Sequence, residues 1–331
     1  MFQVDKRYND VKLFFEEKEH KYTDTFGNPY TSVTTLLHKY AIEFDKKLWL
    51  RKKSKELGIS EQEVAKRWQD ITDESCERGN KTHNYLEDNI REVSMFNKAV
   101  KYLTDHKSGQ MITVADIPYL NIKPLDIDAF IESTDNRYPE IYNVFKYYTD
   151  NGYVIYSEIG TFLIDFLISG TIDVLAIRSD RFVILDWKTN KDGLKFSAGY
   201  YRRDKSVTPY QLTNEWIPKT EYLKAPVAHL PNCNGSIYSL QLSMYATIVS
   251  IITGLPCVGL GLCHIGSPFI LNEYGMPKRD HRGMYTIDVN GKEKVQWFKI
   301  NYYKKECIDI LYDHRLNLNA EQVNKQFKLA I

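Results

Sequence analysis

Hydrophobic positions along this chain change period near residue 153. Before that point they recur mostly at helical spacing; after it they crowd into short β-branched runs. Val11 to Tyr22 mixes strand formers with charge, and Thr25-Phe26-Gly27-Asn28-Pro29 breaks it, which predicts an N-terminal hairpin. A helix is predicted over Leu36–Tyr40. Ser60-Glu61-Gln62-Glu63 places an acid three residues after a serine, a capped helix start. A further helix is predicted from about Glu74 through His83 and Glu87 to Arg91. Residues 93–137 have weak periodicity and contain Pro118 and Pro124, and read as an insertion of short helices and loops. Tyr138 to Tyr148 is helical, with Ile141, Val144, Phe145 and Tyr148 on one side and Asn151-Gly152 as its stop.

Strands are then predicted at Tyr153–Ile159, Thr161–Ile168, Thr171–Ile177 and Phe182–Trp187. Residues 191–235 form a long, basic, turn-rich excursion, and a loop of this length is usually functional. Ser236 to Thr253 predicts a helix closed by Gly254 and Pro256. Val258–Ile265, Gly283–Val289 and Trp297–Tyr303 read as strands, and Glu306–Arg315 as a last helix. This order predicts an α/β fold, a central mixed sheet flanked by helices, in one domain over 1–331. Its parts are an N-terminal hairpin and helices (1–92), the insertion (93–137), a core (138–265) and C-terminal strands and helix (266–331).

One stretch breaks the apolar pattern. Gly170 to Lys188, GTIDVLAIRSDRFVILDWK, is a predicted hairpin with Asp173 in its first run and Asp186 in its second. If the hairpin is centred between Ser179 and Asp180, Asp173 falls opposite Asp186. Like charges so placed are destabilising. Alternation puts Asp186 and Lys188 on one face and Leu185 and Trp187 on the other. A divalent cation between the carboxylates would turn repulsion into coordination. The alternative is that both aspartates sit at strand ends in water.

Composition changes this picture little. Net charge is +1, so a nucleic-acid partner would have to be met by local clusters, such as Lys46–Lys55 and the basic residues of 195–224. The five cysteines are odd in number and widely spread, with no CxxC pair, which argues for free thiols in a reducing, intracellular, cytoplasmic setting. No apolar run reads as a membrane span, and MFQVDKRYND lacks the apolar core of a signal peptide.

The remaining candidates follow a definite order: Gly79 to His83 on a helix, Glu158 in a strand, Gly170 to Asp173, Asp186-Trp187-Lys188, then Gln241 and Tyr245 four apart on one helix face. In this order and setting they resemble the RecB-type branch of the PD-(D/E)XK nuclease superfamily, marked by G-x-x-x-H, an upstream Glu, G-x-x-D, D-x-K and Q-x-x-x-Y. The motifs cover about half the chain, and its ends resemble phage-encoded members. The resemblance implies a restriction-endonuclease-like core. It also implies Mg²⁺ or Mn²⁺ held by Asp173, Asp186, the Trp187 backbone carbonyl and His83, with Glu158 acting through water or on a second ion. Lys188 would orient or deprotonate the attacking water. Gln241 and Tyr245 would contact DNA near the scissile phosphate, joined by Arg78, Lys81 and Lys191.

Two departures from relatives matter. The cysteines lack the spacing that holds an iron–sulfur cluster, so none is expected. No G-x-x-x-x-G-K-[ST] loop is present, so a helicase or recombinase would be a separate partner. The expected activity is a DNA exonuclease acting on single strands or duplex ends. The rival expectations are a catalytically silent nucleic-acid-binding or assembly module on the same fold, and a structure-specific endonuclease or ribonuclease.

Overall fold

A computed structural model describes residues 3–16, 19, 21–92, 113–119, 125–281 and 283–329, with side chains described outside 87–92 and 320–329. Most of the expected insertion, 93–112 and 120–124, lies outside the described residues. Three short strands, β1 (Leu13–Glu16), β2 (Lys21–Asp24) and β3 (Pro29–Ser32), form an antiparallel meander. Helices follow: α1 (Val33–His38), α2 (Lys46–Leu57), α3 (Glu61–Glu92), α4 (Ile127–Ser133) and α5 (Pro139–Asp150). The Ser60 hydroxyl accepts the Glu63 N–H at 3.1 Å, as its capping pattern requires.

The rest of the sheet comes from β4 (Val154–Leu163), β5 (Ile168–Ile177), β6 (Phe182–Lys188), β9 (Cys257–Gly266) and β10 (Lys294–Lys299). The strand order is β1-β2-β3-β5-β6-β9-β10, with β4 along the remaining side of β5. The sheet is mixed: β3 runs parallel to β5 and β6 parallel to β9, while β4–β5, β5–β6 and β9–β10 are antiparallel. Helix α6 (Asn234–Thr253) lies on one face, helix α7 (Lys304–Leu329) packs on α6, and α4 and α5 cover the other face.

Two-sided burial explains why β5 and β6 read as nearly continuous apolar runs. Phe182 and Ile184 face the α6 core with Leu240, Met244 and Ile248. Val183, Leu185 and Trp187 face the opposite core with Phe130, Ile141 and Phe145. Trp187 is 1% exposed, between Phe145 and Trp297 at ring distances of 6.0 Å each. Its anchoring fixes the pleat, so Asp186 and Lys188 project toward α6.

Several boundaries differ from the sequence reading. Gly160 does not interrupt β4; it pairs with Thr171 inside the unbroken register from Ile159 to Leu163. The turn comes later, at Ile164–Phe166, with Leu167 in the left-handed region. The excursion 191–235 contains a separate hairpin, β7 (Gly199–Asp204) with β8 (Gln211–Pro218), whose polar strands carry no apolar alternation. Residues 283–289 form isolated bridges, Tyr285 with Arg279 and Ile287 with Phe269, instead of a strand. Helix α6 also corrects the reading that no run could span a membrane. By length and composition it could, but 78% of its apolar window is buried inside the protein.

Candidate active site

The β5–β6 ladder has the register that centres the hairpin between Ser179 and Asp180: Ile177 pairs with Phe182, Ala176 with Val183, Leu175 with Ile184 and Val174 with Leu185. One step further Asp173 faces Asp186, and there the backbone ladder stops. The Asp173 Oδ2 accepts the Trp187 N–H at 3.0 Å in place of a backbone carbonyl. On this side of β5, β3 pairs only with Ile168 and Ser169, and β6 begins at Val174. Gly170 to Asp173 therefore border an opening in the sheet.

Asp186 is 1% exposed. Its Oδ2 touches the Lys188 ammonium but has no aligned hydrogen-bond donor. Burial, reinforced by the charge of Asp173, pushes the Asp186 carboxyl up to about 7 against the opposing pull of Lys188. Burial also works against the Lys188 ammonium, but Asp186 and Asp173 outweigh it and its pKa is raised. Lys188 further stacks over the Tyr238 ring at 4.9 Å. Lys188 stands between two carboxylates, Asp186 buried and Asp173 partly buried, and one cation cannot compensate both.

Glu158 stands at the level of Asp173 on the neighbouring strand. Ser157 pairs with Val174 and Ile159 with Ile172, so the ladder register passes over Glu158 and Asp173, which stand level between them. Glu158 has a φ of 53°, in the left-handed region. The pleat flips here in both strands: Tyr156 and Ile159, and likewise Ile172 and Leu175, join the α6 core although the members of each pair are an odd three positions apart. Such strain costs about 1–3 kcal/mol and clusters at functional sites. Glu158→Gly is expected to hold or raise the melting temperature, whereas Glu158→Val should cost about 1–2 kcal/mol in chemical denaturation.

Helix α3 brings His83 over this opening. Its Nδ1 lies 3.7 Å from Asp173 Oδ2, beyond hydrogen-bonding distance, with a third of the side chain exposed. Gly79 makes the approach possible, because a Cβ there would stand 3.1 Å from the Thr189 hydroxyl just after β6. Between helix and strand end lies a cleft of about 490 Å³, whose walls include Gly79, His83, Trp187, Lys188, Asn190 and Tyr238.

Gln241 and Tyr245, the expected DNA contacts, are both buried behind the opening. Tyr245 is 4% exposed and Gln241 8%, and the Gln241 amide donates to the Tyr245 hydroxyl at 3.2 Å. Tyr245 packs over Gly170, where a Cβ would meet its ring at 2.7 Å. The pair thus braces the back of the opening, and Gln241 also lines a small cavity with Thr34, His38 and Tyr238. Gly170→Ala is expected to cost about 1–3 kcal/mol of stability by denaturant melting, since the buried ring has to shift.

Of the other expected DNA contacts, Lys81 is exposed and paired with Glu77 at 2.7 Å, and Arg78 and Lys191 are half-buried beside the cleft. The two basic stretches meet at Tyr210, whose ring carries Lys53 at 5.1 Å, Arg203 at 4.6 Å and Arg279 at 5.2 Å. Sequence reasoning missed Arg279, which lies in a loop without periodicity. It also missed His264 and Tyr238, which fasten the loop after β6: His264 Nε2 contacts the Asn190 carbonyl oxygen at 2.8 Å, and the Asn190 amide donates to the Tyr238 hydroxyl at 2.8 Å.

Among the described residues no group of three or more His, Cys, Asp and Glu is gathered tightly enough to hold a metal. His83 and Glu158 lie beside the aspartates, on α3 and β4. The aspartates themselves fit a hard divalent cation: two facing carboxylates, a buried Oδ2 without an aligned donor, and a carboxyl destabilised as an anion. No family model matches the chain, and no curated protein does.

Proposed function

We propose that the protein is a Mg²⁺- or Mn²⁺-dependent DNA nuclease on a restriction-endonuclease-like fold, an exonuclease acting in phage DNA recombination, replication or genome processing. The observation that supports this most is Asp173 facing Asp186 with Lys188 on the same face, beside a cleft of nucleotide size. Asp173, Asp186 and the Trp187 carbonyl would hold the cation, with water filling other positions, as Mg²⁺ prefers. The bound ion supplies Lewis-acid polarisation of the phosphoryl oxygen and a more acidic attacking water.

The chain's own residues do the rest. Lys188, its pKa raised, acts as a charged donor and not as a base. It orients the attacking water and offsets negative charge developing on the phosphoryl group. His83 stands at the mouth, half-open to solvent, where it can contact water or substrate. His264 and Tyr238 hold the loop that sets the position of Lys188.

The test uses end-labelled single- and double-stranded DNA and RNA with Mg²⁺, Mn²⁺ or EDTA, beside Asp186→Asn and Lys188→Ala. Metal-dependent loss of linear DNA by the wild type alone is expected, with covalently closed circles resistant. Equal degradation by wild type and both variants would sink the site assignment. No degradation of any substrate would favour a binding module.

A further inference from the structure

A second pocket adjoins the cleft, sharing Ile71, Ser75 and Lys191 with it. Arg78, Lys191 and Arg279 line this pocket together with Phe269, Tyr285 and one acid, Glu74. The cations rest on aromatic rings: Arg78 lies 6.0 Å from the Phe269 ring, Lys191 5.7 Å from Tyr285, and Arg279 4.9 Å from Tyr285. Stacking of this kind positions cations without neutralising them. Arg279 donates to the Gly283 carbonyl at 2.9 Å and reaches the Tyr285 hydroxyl at 3.4 Å, both uncharged. The neighbouring acid Asp192 is engaged by that same hydroxyl at 2.6 Å.

Two donors remain unsatisfied. The Nε atoms of Arg78 and Arg279 are both buried without a hydrogen-bond partner among the described residues. Leaving a buried donor unpaired costs about 1–3 kcal/mol, more for a charged group, so such groups call for an acceptor. Three cations line one small cavity, and two of them carry a buried guanidinium N–H with a donor to spare, which favours an anion with several oxygens. The cavity, about 40 Å³, admits a phosphate-sized group and not a whole nucleotide.

We propose that Arg78, Lys191 and Arg279 form a phosphate-binding pocket, distinct from the paired aspartates, which grips one phosphate of a nucleic-acid strand lying in the cleft. The proposal rests on the nuclease reading only for the identity of the strand. The crowding of charge is consistent with it: burial lowers the Lys191 pKa, and Arg279 and Arg78 add to the lowering against Asp192 and Glu74.

The test is anisotropy of a short 3′-labelled single-stranded oligonucleotide, with a 5′-phosphate or a 5′-hydroxyl, titrated in EDTA over a range of salt. Lys191→Gln and Arg279→Gln are each expected to weaken binding about tenfold and to lower the salt slope by about one. Arg279→Lys, which keeps the charge but loses the guanidinium donors, should recover only part of the binding. A loss confined to the 5′-phosphorylated strand assigns a terminal phosphate to the pocket, and equal loss on both strands assigns an internal one; either supports it. Unchanged affinity and slope in Lys191→Gln or in Arg279→Gln overturns it. Because EDTA excludes cleavage, the pocket can stand if the nuclease reading falls, and the reverse.

Discussion

Asp186→Asn is expected to lower Mg²⁺-dependent DNA cleavage about a thousandfold, equivalent to roughly 4 kcal/mol of barrier, while the protein stays folded. Asparagine keeps the shape of a side chain that is 1% exposed and removes only the charge a cation would require. The same substitution should change the pH dependence of stability in EDTA. The Asp186 carboxyl is raised from 3.8 to about 7 in the folded chain, so the folded state holds its proton more tightly than the unfolded one. Its contribution is therefore fully present below about 3.8 and is lost as pH rises through about 7. Thermal melts of the metal-free wild type should fall relative to Asp186→Asn across that window, and the gap should level off above it. Metal binding requires the carboxylate, so cleavage should climb with pH through the same region. A cleavage rate independent of pH between 5 and 8 would contradict the assignment of this group.

Lys188→Ala carries the second large effect, a loss of about a hundredfold to ten-thousandfold in cleavage. Its physical signature differs from that of Asp186→Asn. Lys188 competes with a divalent cation for the Asp186 Oδ2, so its removal should leave Mn²⁺ binding intact or tighter at pH 8 while cleavage is lost. The Lys188 ammonium also stacks on Tyr238, whose hydroxyl accepts from Asn190, so alanine will loosen the loop after β6 as well. Lys188→Arg separates the two contributions: it restores charge and stacking but not a compact ammonium, and partial recovery of cleavage is expected. Calorimetry and cleavage measured on the same preparations decide this. Loss of metal binding in Lys188→Ala would mean that the lysine holds the site together instead of acting on the phosphate.

The centre of the site was readable in the sequence because strand periodicity is rigid. Once the turn is centred between Ser179 and Asp180, a period of two leaves no freedom, and Asp173 has to face Asp186. Gly79 and Gly170 were visible as motif letters, but their reason is tertiary: one lets α3 approach Thr189, the other lets Tyr245 pack on β5. The left-handed Glu158 left no local signal, since neither strand gains or loses a residue there and only the pleat flips. Gln241 and Tyr245 were placed on one helix face correctly, but their depth depends on how closely the sheet packs beneath them. The β7–β8 hairpin and Arg279 stayed hidden because the apolar residues of their segments, such as Leu212, Trp216 and Ile217, keep no regular period.

The most direct measurement of the central claim is a calorimetric titration of the metal-free protein with Mn²⁺, beside Asp173→Asn and Asp186→Asn. Paired carboxylates acting as cation ligands predict saturable binding to the wild type, with proton release below pH 7, weakened at least about tenfold in each variant. Equal affinity in all three proteins, or no binding to the wild type, would contradict it.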